Sequence, residues 1–315
     1  MKNIKLFLLV ILSTFINQSN VFSSECFKLV PFGYNDHYVK LPSNFKFCVK
    51  KKNIKINYET GIYGERILKN NDNKDFINIF GDSHALGLDV NNTNDYFLSK
   101  VYPKKSFRIF AAPNNGPFEV LNFLKIHKDA FHNQSGVIVF NLSTDIFRIN
   151  KKWDPKNFVG LNDFQLEEIK DNKFKYNFYF IKNLIFNRKF TIARPNNIEM
   201  QKLFNSNLDN IKIDFRNYLK DLTNLDYDNL DIVFILPYWI YQKKNVPKFE
   251  ENKSITNKIL DLVCKDTKSL ANKFEILIQK NDLNLEEAFL TIDKRHFKSN
   301  LVNLTDLKNL CKSQV

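Results

Sequence analysis

Four short apolar runs, each closed by a turn residue, punctuate the chain. Phe76-Ile77-Asn78-Ile79-Phe80 ends at Gly81, residues 106–112 end at Pro113, residues 136–140 end at Asn141, and residues 231–236 end at Pro237. Compact runs of this kind predict strands buried on both faces, as parallel strands are. Segments able to form a helix, such as 119–127, lie between the first three. Strands alternating with helices predict an α/β sheet built by right-handed crossovers. In such sheets the chemistry sits beyond the carboxyl ends of the strands, so the residues just after these runs are the ones to inspect.

The rest of the chain breaks the alternation. Residues 24–75 read as an irregular N-terminal extension, with Pro31, Gly33, Pro42 and scattered aromatics but no long periodic run. Residues 150–230 read as an insertion into a domain spanning 76–315. Inside it, 173–194 is aromatic and basic together, which predicts either an element covering the sheet with its cations in water or a patch lying on a membrane surface. Helices are predicted over 252–264 and 266–280, and a short strand over 288–292. No internal repeat or low-complexity linker is visible.

The N-terminus bears on the compartment. Met1-Lys2-Asn3-Ile4-Lys5 carries two positive side chains, residues 6–16 are almost wholly apolar, and small residues follow at Ser23-Ser24. That order predicts a secretory signal peptide over 1–23 and a secreted or periplasmic mature protein, an uncleaved anchor being the lesser alternative. All four cysteines, Cys26, Cys48, Cys264 and Cys311, follow this segment. Proximity favours Cys26–Cys48 and Cys264–Cys311 disulfides over free buried thiols, and no pair has zinc-ligand spacing.

Composition narrows the classes without choosing one. The 315 residues are 43% hydrophobic and 26% charged, which excludes a disordered tail, a fibrous repeat and a polytopic membrane protein. The net charge of +13 would suit an anionic partner. No recognition motif accompanies it, and lysine is heavy throughout, as an AT-rich genome would write it. No nucleic-acid partner is expected.

The first apolar run leads directly into Gly81-Asp82-Ser83-His84-Ala85. A serine there stands on a strand-to-helix turn, where its hydroxyl can face the crevice and its N–H joins the free donors of the next helix. Asp82 or Ser83 could equally be a helix cap, and Asp82 is read as supporting the turn. Near the other end lies Asp293-Lys294-Arg295-His296. A serine needs a base to take its proton, and the base needs a carboxylate to fix its tautomer. His37, His127 and His132 have no partner at ligand spacing and read as surface or structural.

These two blocks, GDSH and DxxH, resemble the first and last blocks of the SGNH (GDSL-type) hydrolase superfamily. The GDSHA wording is closest to the SGNH domains associated with acyltransferase-3 proteins that O-acetylate surface polysaccharides. The resemblance implies a flavodoxin-like, three-layer α/β/α fold. It further implies Ser83 as nucleophile, His296 as base, Asp293 as its orienting acid, and an oxyanion hole from Ser83, Gly116 and Asn141. Gly116 follows the second run but could be a plain turn glycine. Asn141 follows the third, where the usual GxND wording is absent. His84 should turn away from the serine. Trp239, after the fourth run, is a candidate to stack on a sugar.

The activity so implied is that of an exported esterase or O-acyltransferase working on O-acetyl groups of cell-envelope or extracellular glycans through an acyl-enzyme. The acylated glycan is the expected substrate, a membrane protein the expected acyl donor in the transferase case, and no metal or organic cofactor is called for. The alternatives are a catalytically inactive SGNH scaffold that binds glycan, and a lipid esterase resting on the membrane through 173–194.

Overall fold

A computed structural model describes residues 26–34, 37–51, 54–70, 75–88, 90–113, 115–141, 145–149, 160–186, 197–225, 227, 229–235, 258, 261–264, 274–279 and 302–306. Three of the four expected strands come in sequence as β6 (Phe76–Gly81), β7 (Ser106–Ala111) and β8 (Gly136–Asn141), and the fourth is β10 (Leu230–Ile235). Before them lie β1 (Gly33–Tyr34), β2 (Val39–Lys40), β3 (Lys46–Lys51), β4 (Ile54–Glu59) and β5 (Arg66–Leu68). The remaining strands are β9 (Leu161–Asn162), β11 (Phe274–Gln279) and β12 (Val302–Asp306).

Among the described residues the central sheet has seven strands in the order β12-β11-β10-β8-β6-β7-β5. β7, β6, β8, β10 and β11 are mutually parallel, and β5 and β12 close the two edges antiparallel. Numbered by appearance, the parallel strands run 2-1-3-4-5, the flavodoxin-like order. The α/β fold class expected from the sequence is therefore the one observed.

Both faces of this sheet are covered. On one face Phe80, Ile138, Phe140, Ile232 and Phe234 meet α2 (Pro117–Ile126), α3 (Lys128–Phe131) and α6 (Asn197–Thr223). The alternate residues Ile77, Ile79, Ile109, Val137, Val139 and Val233 face the other way. They pack with α1 (Ser83–Leu86), α4 (Asp163–Asp171) and the β3–β4 hairpin. Near-continuous apolar strands are what a sheet buried on both sides requires. Each such Phe, Ile or Leu side chain contributes about 1.5–3 kcal/mol on leaving water.

Two sequence expectations change. The extension read as irregular supplies strands: β5 joins the main sheet, with Arg66 opposite Ile109. Its five strands are two to six residues long, too short for a periodic pattern to stand out. The helix expected over 266–280 contains β11 instead. Phe-Glu-Ile-Leu-Ile-Gln fits either element by apolar content, and pairing beside β10, with Ile232 opposite Phe274, decides for the strand. β12 was not foreseen.

The disulfide Cys26–Cys48 is present and ties the start of the described chain to β3. Cys264 is also disulfide-bonded; Cys311 lies outside the described residues, as do the segments 1–23 and 288–292. In the aromatic, basic segment, α5 (Lys173–Phe186) is a helix. It buries Tyr176 edge-on against Phe27, ties Lys175 to Glu168, and leaves Phe178 exposed. No helix among the described residues is long and apolar enough to cross a membrane.

Candidate active site

The chain passes from β6 outward to β7 and then back across β6 to β8, so the strand order reverses between β6 and β8. A crevice opens at the carboxyl ends of strands flanking such a reversal. β6 ends there at Gly81, and β8 ends there at Asn141. Gly81 is required by crowding: a Cβ on it would stand 2.9 Å from both the Val139 carbonyl oxygen and the Ala85 Cβ. The helix can start this close to the sheet only over a bare backbone.

Asp82 caps α1 by accepting from the His84 N–H at 2.7 Å, so Ser83 is the first residue of the helix. Ser83 is buried, and its main-chain N–H belongs to the first helical turn. The other end of α1 is also held. Gly87 takes the left-handed conformation at φ 60°. The buried Arg66 guanidinium donates to the Leu86, Gly87 and Val90 carbonyls, and the Tyr96 hydroxyl donates to the Ala85 carbonyl. A four-residue helix has little stability of its own, and these clamps fix the serine's position.

His84 does not project into solvent. Its Nδ1 lies 3.0 and 3.1 Å from the two Asp82 carboxylate oxygens, and the Asn141 Nδ2 lies 3.1 Å from Nδ1 and 3.3 Å from Nε2. Asn141 is thereby brought beside the GDSH turn. Its main-chain N–H donates to Asp145 Oδ2 at 2.8 Å, and Asp145 is followed by Arg148, whose Nη1 lies 3.7 Å from Asp145 Oδ1.

The two buried carboxylates of this cluster are driven apart. Burial pushes Asp82 up, but the charge and hydrogen bonds of His84, with Arg148 behind them, hold it well below the ordinary carboxylate range. Burial and then the Asp82 charge push Asp145 up to about 7, against the pull of Arg148 and the Asn141 N–H. Two carboxylates in one apolar pocket do not both ionise readily, and the one with the histidine does so first.

Gly116 is the N-cap of α2, and its N–H donates to Glu119 Oε2 at 2.9 Å within a capping box. That N–H already has a buried carboxylate as acceptor, so it reaches an oxyanion only by leaving Glu119. The glycine has a second reason to be there: a Cβ would stand 3.0 Å from the Arg148 guanidinium.

The structure thus joins Ser83 and Asn141 through His84, and brings Gly116 to the same cluster through Arg148. Asp293, His296 and Trp239 lie outside the described residues. Sequence reasoning missed Asp145, Arg148 and Glu119. Glu119 was legible as the third residue of a helix opening Gly-Pro, whereas nothing local marks Asp145 or Arg148. His127 packs against Phe123 and Tyr63, a structural position.

No protein-family profile and no curated protein matches the chain. Two solved structures of mutants of Axe2 from Geobacillus stearothermophilus resemble it. One, an acetyl xylan esterase, is 13% identical, with a TM-score of 0.31 over 72% of this chain and 88% of that one. The other, an acetyl-xylooligosaccharide esterase, is 12% identical, with a TM-score of 0.31 over 76% of this chain and 92% of that one. At that overlap the likeness assigns no activity, and the fold class rests on the strand order.

Proposed function

We propose that the protein is an exported serine esterase or O-acyltransferase of the SGNH type, acting on O-acetyl groups of cell-envelope or extracellular glycans. The observation that carries the reading is Ser83 on the turn after β6, at the strand-order reversal, with Asn141 of β8 brought beside that turn. In the proposed step Ser83 Oγ attacks the ester carbonyl carbon while His296 takes the hydroxyl proton and Asp293 holds the imidazole. The tetrahedral oxyanion accepts hydrogen bonds from the Ser83 N–H and the Asn141 side chain. Its collapse expels the sugar alkoxide, which takes the proton from His296 and leaves acetyl-Ser83. Water then makes the enzyme an esterase, and a second sugar hydroxyl makes it a transferase. In the transferase case a membrane partner delivers the acyl group.

The engaged Gly116 N–H favours one second reading, an inactive scaffold that binds glycan without turning it over. Both are tested by p-nitrophenyl acetate hydrolysis and fluorophosphonate labelling of the mature protein beside Ser83→Ala. Turnover and labelling that vanish in Ser83→Ala support the enzyme. Equal background rates in both proteins, with no label on either, favour the scaffold. Acetate released from acetylated glycan then identifies an esterase, and acetate gained by unacetylated glycan a transferase.

A further inference from the structure

We infer that a groove on the β3–β4 hairpin is a second binding site, which holds an acidic stretch of polysaccharide away from Ser83. That the acid is carried by a glycan rests on the function proposed above; the charge and shape of the groove are independent of it.

The groove encloses about 520 Å3, within the size range of ligand sites. It follows the outward face of the hairpin, where Lys46, Lys55, Asn57 and Glu59 stand, while Phe47, Ile56 and Tyr58 are buried behind them. Its walls are braced. Phe47 stacks on Tyr58 with ring centroids 4.9 Å apart, and the Cys26–Cys48 disulfide anchors β3. The Asn91 side chain accepts the Asn57 N–H at 2.8 Å and donates to the Lys55 carbonyl at 3.0 Å, as a neighbouring strand would. Such a site needs little ordering when a ligand arrives.

Four lysines from four parts of the chain line it: Lys46 from β3, Lys55 from β4, Lys69 just after β5 and Lys173 from the start of α5. Among the described lining residues Glu59 is the one acid, and two lysines share it. Lys69 Nζ lies 2.6 Å from its Oε1, and Lys46 Nζ lies 3.6 Å from its Oε2. Both pairs stand in water, with the Lys46 side chain 78% and the Lys69 side chain 53% exposed, so an incoming anion displaces them at little cost. An ammonium that already has an acceptor keeps its charge, and it carries three donors. A cleft lined by one sign of charge concentrates ions of the other.

The shape suits a polymer chain rather than a bilayer. Phe47, Tyr58 and Leu68 in the lining are buried, so none of them projects to enter hydrocarbon. Exposed Asn57 adds an amide for sugar hydroxyls. The groove is also remote from the crevice. Leu68 pairs with Phe107 near the amino end of β7, about 13 Å along that strand from its carboxyl end. It therefore retains the polymer without touching the ester, and retention raises the local concentration of esters at Ser83.

The test is calorimetric binding of polygalacturonate, whose acid is a carboxylate, and of phosphomannan, whose acid is a phosphate. Dextran and phosphatidylglycerol vesicles are run beside them, and Ser83→Ala is the host protein, so that turnover plays no part. Lys46→Gln with Lys69→Gln, and separately Lys55→Gln with Lys173→Gln, should each raise Kd for the acidic glycan about tenfold. In the Ser83 protein the same pairs should leave Tm and p-nitrophenyl acetate turnover unchanged. Glu59→Gln releases Lys46 and Lys69 together and should tighten binding. Lys125→Gln with Lys220→Gln removes equal charge from exposed positions on α2 and α6, across the sheet, and should change Kd little.

The acidic glycan bound more tightly identifies the acid as carboxylate or phosphate. Dextran binding as tight as either acidic polymer, equal losses in the α2–α6 control, or tighter binding to the vesicles than to both glycans would overturn the inference. Groove-dependent binding without any Ser83-dependent turnover in the wild type would support the inference and count against the proposed activity alone.

Discussion

Replacing Asp145 by asparagine should make the protein more stable at alkaline pH and leave it nearly unchanged at acid pH. Asp145 is buried, its Oδ2 accepts the Asn141 N–H at 2.8 Å, and its Oδ1 has no hydrogen-bond partner among the described residues. An asparagine side chain can still accept that N–H while placing a neutral NH2 where Oδ1 stood. In the folded protein the carboxyl titrates at about 7 rather than at its ordinary 3.8, because of burial first and the Asp82 charge second. Between those values the folded state keeps a proton that the unfolded chain has released, so stability falls as pH rises through the window. Below 3.8 both states are protonated, and above about 7 both are ionised, so the loss is complete there. At ~1.4 kcal/mol for each pH unit by which the folded value is raised, the loss is on the order of a few kcal/mol, a large part of a typical domain's margin. Urea unfolding of the wild type and Asp145→Asn at pH 4, 5.5, 7 and 8.5 measures it, since titrating groups remote from Asp82 and Asp145 cancel in the difference. The variant's advantage should grow steadily to pH 7 and then level off. Parallel stability curves, or a wild type that gains on the variant as pH rises, would refute the reasoning.

Three further outcomes follow from particular contacts. Arg66→Met keeps the apolar stem but removes the buried donor to the Leu86, Gly87 and Val90 carbonyls; it should cost about 3 kcal/mol or more in urea unfolding and loosen α1. Gly81→Ala puts a Cβ 2.9 Å from the Val139 carbonyl oxygen. It should cost about 1–3 kcal/mol and lower Ser83-dependent turnover, since the helix start must move. Paired replacement of Cys26 and Cys48 by alanine opens a loop with a sequence separation of 22; it should lower stability by about 3 kcal/mol, read as a fall in Tm that reduction of the wild type also produces.

How much of this could be read from the chain depends on how local each determinant is. Four of the five parallel strands were legible because burial on both faces concentrates apolar residues into runs, and the turn after β6 because glycine, a capping aspartate and serine stand together. β5 and β12 were not, since three to five edge residues need no apolar run. β11 was misjudged because Phe274-Glu275-Ile276-Leu277-Ile278-Gln279 carries no period that separates helix from strand, and only its place beside β10 settles it. The site divides the same way. Asp82 as cap is written within three residues. Asp145 and Arg148 come after the end of β8, yet the groups they act on include Asp82 at the end of β6, which meets β8 only through sheet pairing.

That division has a consequence for His84. From sequence it was simply the residue after the serine, expected to turn away. It does turn toward Asp82, as a local cap would require, and the same rotation brings its ring nitrogens to 3.1 and 3.3 Å from an amide nitrogen 57 positions further on. The local rule chose the rotamer, and the strand order supplied the partner. Residues of this kind, whose orientation is local and whose consequence is tertiary, are those that motif reading passes over.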